Sequence, residues 1–228
     1  KKVIAVEKDQ KLYSYLRDKF DKIKNLELVN NDILEFLADT RGILRGSTRK
    51  EYKIVANIPY YLTSFLLRKV FELDNPPTEM TLMVQKEVAE RMTACPPQMN
   101  LLALSVQMFA SPEIKFLVSR KSFHPAPKVD SAVVNFTNHP PVSLREALRA
   151  GKLHKTQTKK NEEIIKLAKQ GFKSKRKTLA NNLAEYEGLT KKDIFVILKE
   201  LGLNGKIRPQ ELGLADWQKL YEKTNGKK

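Results

Sequence analysis

Tyr52-Lys53-Ile54-Val55-Ala56-Asn57-Ile58-Pro59-Tyr60 is the stretch on which the reading of the chain turns. Its first five residues, apolar and β-branched, read as a buried strand, and Asn57-Ile58-Pro59-Tyr60 as the turn that ends it. At the C-terminal end of a strand, an Asn beside a Pro offers a side-chain oxygen together with backbone carbonyls that no sheet partner claims. The Tyr adds an aromatic face. Acceptors for two N–H groups and a ring for stacking suit an exocyclic amine on a flat base. Asn and Pro are also common turn residues, so the tetrapeptide alone supports a plain strand-to-loop turn equally well.

The same strand-to-polar-turn rhythm recurs on both sides. Val3 to Val6 is an apolar strand ending at Glu7, followed by Leu12, Leu16 and Phe20 on one helical face. Leu26 to Val29 is a second strand; it ends at Asn31-Asp32, and Ile33, Leu34 and Leu37 then predict a short helix with Asp32 near its start. After the Asn57 turn, Ser64 to Leu73 reads as a helix, Met80 to Val84 as a strand, and the segments through Val88 and Met92 and from Leu101 to Phe109 as helices. Strands alternating with helices predict an open α/β sheet, in which ligands collect at the carboxyl ends of strands. Glu7, Asp32 and Asn57 stand at three such ends and form a candidate cleft. A carboxylate after an early strand can accept ribose hydroxyls, which fits Glu7, and Asp32 has the chemistry to accept from an adenine amino group.

From Glu113 the pattern changes to strands, Glu113 to Val118 and Val129 to Phe136, separated by Ser122-Phe123-His124-Pro125-Ala126-Pro127. The prolines stiffen that turn and hold Phe123; His124 reads as an ordinary loop residue. Between Asn138 and Lys160 periodicity fades, with a brief helix at Leu144 to Leu148, and a domain boundary is expected there: 1–150 and 151–228. Ile164, Leu167, Ala168 and Phe172 then share a helical face. The dense basic run holding Lys173, Lys175, Arg176 and Lys177 follows directly. Thr190 with Asp193 predicts a capped helix that Gly202 ends, and Pro209 to Tyr221 reads as a last helix with Trp217 packed inside.

The 228 residues are 41% hydrophobic and 30% charged, enough for one full core and a small second one. One cysteine, Cys95, excludes an internal disulfide, and three scattered histidines offer no metal-ligand spacing, so no metal site is expected. No stretch reads as a transmembrane span or a signal peptide; no membrane partner and a cytoplasmic setting are expected. The net charge is +16, and residues 151–228, with 19 Lys and Arg against 9 Asp and Glu, carry +10 of it. A polyanion, nucleic acid ahead of membrane, is the expected partner, since no basic helix with bulky apolar aromatics stands out.

Taken together, these segments resemble the ribosomal RNA adenine N6-dimethyltransferases, most closely the bacterial KsgA type. The resemblance is carried by Val3-Ile4-Ala5-Val6-Glu7, Asn31-Asp32, Asn57-Ile58-Pro59-Tyr60, Gln85 to Arg91, Phe123 to Ser131, Lys175-Arg176-Lys177-Thr178-Leu179-Ala180-Asn181-Asn182-Leu183 and Arg208-Pro209-Gln210-Glu211-Leu212, in family order across nearly the whole chain. It implies a Rossmann-like methyltransferase sheet, lacking its first strand and glycine-rich loop in residues 1–150, and a small helical RNA-binding domain in 151–228. It implies S-adenosyl-L-methionine as donor and adenine in small-subunit ribosomal RNA, free or in a pre-ribosomal small subunit, as acceptor, with the protein a monomer.

By the same resemblance Glu7 would hold the donor's ribose and Asp32 its adenine. Asn57 would stand between donor and target, with Ile58, Pro59, Tyr60 and Phe123 around the extruded base. Lys173, Lys175, Arg176 and Lys177 would contact RNA. Two features depart from the family pattern: Lys8 replaces an aliphatic residue after Glu7, and the glycine-rich segment that should precede Val3 is not in the sequence. An upstream segment of a few tens of residues is therefore expected. The alternative reading is a non-catalytic RNA-binding assembly or transcription factor that keeps the methylase fold.

Overall fold

A computed structural model describes residues 1–39, 51–73, 75–138 and 151–225, with backbone alone for 151–158. Contacts group the chain into two compact units: residues 1–51 with 64–76, and residues 52–63 with 77–228. The expected boundary at residue 150 and the brief helix at Leu144 to Leu148 lie outside the described residues.

In the first unit, β1 (Val3–Glu7) and β2 (Leu26–Asn30) pair in parallel, Glu7 opposite Asn30. The helix α1 (Gln10–Phe20) connects them, capped by the Asp9 carboxylate, which accepts from the Leu12 amide at 2.8 Å. Helix α2 (Ile33–Asp39) follows β2, and α3 (Thr63–Phe71) buries Leu66, Leu67, Val70 and Phe71. The apolar face read from Leu12, Leu16 and Phe20 is present, but no α1 residue is buried and Leu12 is 44% exposed.

The second unit holds a four-stranded sheet and a helical bundle. The sheet order is β3 (Lys53–Asn57), β4 (Glu79–Gln85), β6 (Ser131–Asn138), β5 (Ala110–Val118), with β3 parallel to β4 and the other pairs antiparallel. Met80, Leu82 and Val84 on β4 and Ala132, Val134 and Phe136 on β6 are fully buried at period two, the signature of a core-facing sheet side. Buried Asn135 is satisfied across the sheet by the Thr81 hydroxyl at 2.9 Å. Among the described residues no β3 side chain is buried and Val55 is 82% exposed, the open apolar side expected of this strand where the first strand of the sheet is not in the sequence. Among the described residues β3 pairs with β4, and β1 pairs with β2 in a sheet of its own. The α/β class stands, with its strands in two sheets among the described residues.

Helices α4 (Lys86–Met92) and α5 (Leu101–Gln107) lead from β4 toward the bundle, whose members are α6 (Gly151–Gly171), α7 (Leu179–Leu183), α8 (Lys191–Glu200) and α9 (Leu214–Asn225). The weakly periodic residues 151–160 are thus helical, an extension of α6. One apolar cluster joins Ala103 and Leu104 of α5 to Ile164, Leu167, Leu183, Ile194, Ile197, Trp217 and Leu220, so the bundle and α5 share a core. The Thr190–Asp193 capping box forms, and Gly202 ends α8's final turn at φ 70°. The last segment is two pieces rather than one helix: a 3-10 turn at Pro209–Glu211, then α9.

Candidate active site

Asn57 is the last residue of β3 in register with β4, opposite Met83, and the chain leaves the sheet immediately beyond it. Pro59 cannot donate to a strand ladder and starts a 3-10 turn, Tyr60–Leu62, closed by the Leu62 amide to the Pro59 carbonyl at 2.9 Å. The Asn57 side chain is exposed and makes no hydrogen bond among the described residues. Its carboxamide oxygen and NH2 are both available to a ligand. Tyr60, by contrast, is fixed: its hydroxyl is 2.8 Å from the Ser131 Oγ. Ser131 begins β6 opposite Gln85, the last residue of β4, so this bond ties the turn to the same end of the sheet.

The loop carrying Phe123 springs from that end as well, between Val118 of β5 and Ser131 of β6. Its base is stapled by Asp130: the carboxylate accepts from the Arg120 amide at 2.9 Å, and the carbonyl accepts from the Lys86 amide at 3.0 Å. Ser119 caps a 3-10 turn at Arg120–Ser122, and half-buried Phe123 follows it. Asn57, Ile58, Pro59, Tyr60 and the Phe123 loop therefore lie at one end of the four-stranded sheet. Asp130 and Ser131 belong to a segment that carries the family resemblance, but their contacts with Lys86, Arg120 and Tyr60 were not legible, because those partners are brought to them only by the fold.

Glu7 and Asp32 belong to the other unit, at the ends of paired strands. The Glu7 Oε1 accepts from the Asp9 amide at 2.7 Å, and its backbone carbonyl accepts from Asn30 Nδ2 at 2.9 Å and the Asn31 amide at 3.2 Å. Oε2 has no partner among the described residues. Asp32 is held more tightly. Lys8 Nζ donates to Oδ2 at 2.9 Å and the Leu34 amide to Oδ1 at 2.8 Å; the Lys8 bond first and the Leu34 amide second hold its carboxyl below the usual carboxylate value. Lys8 is thus an ion-pair partner of Asp32 while its side chain stays largely exposed.

The four basic residues after α6 lie in a turn between α6 and α7, all exposed and none in an ion pair among the described residues. Buried Asn182 shapes that turn: its Nδ2 donates to the Gly171 carbonyl at 2.6 Å and the Ser174 carbonyl at 2.9 Å, and its own carbonyl accepts from Gln170 Nε2 at 3.0 Å. No group of three or more potential metal ligands is found among the described residues. No described helix is long and apolar enough to cross a membrane.

The sequence model of a family described as ribosomal RNA adenine dimethylase matches residues 1–220. A ribosomal RNA small subunit methyltransferase A from Dehalococcoides mccartyi (strain 195) is 36% identical over 218 residues, covering 96% of this chain and 69% of the relative. The protein of that name from Clostridioides difficile (strain 630) is 35% identical over 230 residues, covering 99% and 74%. A dimethyladenosine transferase from Plasmodium falciparum superposes with a TM-score of 0.74 at 25% identity, covering 99% of this chain and 82% of that one. The 23S rRNA methyltransferase ErmE shares the fold, with a TM-score of 0.67 at 22% identity over 98% of this chain and 82% of that one. The architecture is that of a Rossmann-like α/β methyltransferase with a helical C-terminal part.

Proposed function

The chain belongs to the ribosomal RNA adenine dimethylase family, and from that premise we propose that it dimethylates the N6 nitrogen of adenines in small-subunit ribosomal RNA. The observation that carries this reading is the Asn57 carboxamide, exposed at a strand end with no partner among the described residues, beside a tyrosine whose ring is anchored through Ser131.

Adenine N6 is a weak nucleophile because its lone pair is delocalised into the ring. The Asn57 Oδ1 and the Ile58 carbonyl can accept its two hydrogens, which favours a tetrahedral nitrogen with the lone pair localised for attack. Pro59 limits the freedom of that acceptor pair. Tyr60 and Phe123 supply faces against which an extruded base can stack. Each transfer replaces one N6 hydrogen by a methyl group and releases a proton to solvent. The second transfer therefore proceeds with a single N–H contact.

S-adenosylmethionine supplies an electrophilic methyl group when bound, and the donor set fits it. Glu7 keeps one carboxylate oxygen free to accept from a ribose hydroxyl. Both Asp32 oxygens are engaged but retain further lone pairs, which suits an adenine amino group. In this reading residues 1–150 form the catalytic part and 151–228 the RNA-binding part, with Lys173, Lys175, Arg176 and Lys177 on phosphates. The protein acts as a cytoplasmic monomer in ribosome biogenesis, on ribosomal RNA or a pre-ribosomal small subunit.

Replacing Asn57 by Ala in the full-length protein should lower methyl transfer by roughly 10²- to 10³-fold, the usual cost of one hydrogen bond that strengthens in the transition state. RNA binding should stay near parental. Equal rates for variant and parent at saturating donor and RNA would reject the assignment and favour a non-catalytic RNA-binding role. Neutralising Lys173, Lys175, Arg176 and Lys177 together should flatten the log–log salt dependence of RNA binding by about 0.7 to 0.9 for each true phosphate contact. A parental slope would leave the four as solvated side chains of a surface turn.

A further inference from the structure

Ser131 is a polar residue at a core position. It begins β6 between two strand partners, Gln85 of β4 and Val118 of β5, and is as fully buried as Ala132, Val134 and Phe136 farther along the strand. Its hydroxyl oxygen lies 2.8 Å from that of Tyr60, across 71 residues of sequence. The backbone that carries it is held as well, because the Asp130 carbonyl accepts from the Lys86 amide at 3.0 Å. Packing alone makes no demand for a hydroxyl here, since alanine fills the next, equally buried position.

Tyr60 is thereby fixed at both ends of its side chain. Its Cα lies in the 3-10 turn, where its carbonyl accepts from the Thr63 amide, and its phenol oxygen is tied to a strand that is paired on both sides. A ring held at Cα and at the para oxygen cannot change rotamer without breaking the tie, so the plane of its face is set. Phe123, the other ring assigned to the base, carries no group that can be tied in this way.

The two methyl transfers place different demands on that plane. In each, the N6 lone pair becomes the bond to the incoming methyl carbon, the electron pair of the old S–C bond stays on sulfur, and one N6 proton passes to solvent. For the first transfer the Asn57 Oδ1 and the Ile58 carbonyl accept from both N–H groups, and two acceptors orient the nitrogen. Afterwards one N–H remains. A single hydrogen bond leaves the nitrogen free to turn about the line of that bond, and misalignment of the attacking atom is costly in rate. We propose that Ser131 is a positioning residue for the second transfer: through the Tyr60 hydroxyl it holds the monomethylated base in the orientation that two N–H contacts give the unmodified one, which makes dimethyladenine rather than monomethyladenine the product. This rests on the reading that the chain methylates adenine N6 at Asn57.

The test uses the full-length protein and two versions of one small-subunit ribosomal RNA fragment, with unmodified or N6-monomethylated adenine at the target position, each followed through a single turnover at saturating donor and RNA. Ser131→Ala, checked for parental folding by circular dichroism, should slow transfer to the monomethylated RNA by about 10-fold or more and transfer to the unmodified RNA by no more than about 3-fold. Monomethyladenosine should then accumulate in nucleoside digests read by mass spectrometry. Tyr60→Phe keeps the ring and removes the other half of the tie, so it should show the same selective loss. The double variant should add less than about 2-fold to either single one, because all three lack the same bond. Parental ratios of the two rates in both single variants, or equal losses in the two transfers, overturn the role of Ser131. So does full multiplication of the losses in the double variant, which would give the two residues independent roles. A parent that methylates neither RNA rejects the dimethylation reading, and the role falls with it; a parent that completes both transfers while its variants lose no selectivity rejects the role alone.

Discussion

The turn after β3 and the helical bundle use polar side chains in opposite ways. At the strand end Asn57 is exposed and its carboxamide has no partner among the described residues, while in the bundle Asn182 and Asn161 are buried and bonded to backbone carbonyls. The bundle's apolar residues support that packing: Trp217, Ile194, Ile197 and Leu198 are wholly buried. Hydrogen-bonding capacity withheld from the fold is what a ligand can use. Amides bonded to backbone inside, as those of Asn161 and Asn182 are, hold that backbone in place. Substitutions in the two regions should therefore separate activity from stability.

The largest stability effect should come from the bundle. Trp217 is closely fitted: a Cβ on Gly171 would stand 2.5 Å from its Cη2, so only glycine leaves room for the indole at that point of α6. Trp217→Ala should cost about 3–5 kcal/mol in urea unfolding, the range for deleting a large buried aromatic. Asn57→Ala should stay within about 0.5 kcal/mol of the parent, as exposed sites do. Equal losses for the two variants would erase the distinction between the regions.

Asn182 should give an intermediate effect that touches both stability and function. Removing its amide leaves the Gly171 and Ser174 carbonyls without their buried donor, at a cost of about 1–3 kcal/mol. Because those carbonyls lie on either side of Lys173, Asn182→Ala should also weaken RNA binding, measured at a temperature where the variant is fully folded. Parental RNA affinity together with the stability loss would show that the basic turn keeps its shape without this clamp.

What the sequence disclosed follows from the range of the interactions involved. The capping box of Thr190 and Asp193 spans four residues, and the apolar run of Val3 to Val6 announces a strand by itself. Both were legible. The Asn57 turn was legible because Pro59 and Asn57 mark a strand end locally. Burial was not, since it depends on what lies across: Leu12 and Phe20 fall on the apolar face of α1, yet no α1 residue is buried. β5 was read from Glu113 but starts at Ala110, because Pro112 argues against a strand and is tolerated here on an edge strand. Asn182, Ser131 and Asp130 act on backbone or side chains whose positions only the folded chain defines.

The smallest effect concerns Lys8 and Asp32, a long-range pair that the sequence suggested as two separate residues. Asp32 titrates below the ordinary carboxylate value, chiefly because Lys8 donates to Oδ2 and secondarily because the Leu34 amide donates to Oδ1. Its folded pKa is depressed relative to the unfolded chain, so its contribution to stability is present above the unfolded value and lost as pH falls through the folded one. Lys8→Gln removes the leading cause and leaves the Leu34 amide in place. The Asp32 carboxyl resonance, followed by NMR during an acid titration, should therefore move its midpoint upward without reaching the ordinary value. Stability near neutral pH should change little, since Lys8 is well exposed and surface pairs contribute weakly. An unshifted midpoint would mean that the Leu34 amide alone sets the charge of Asp32; the residue would then be a helix-start carboxylate like Asp9, and Lys8 would have no part in preparing it for an adenine amino group.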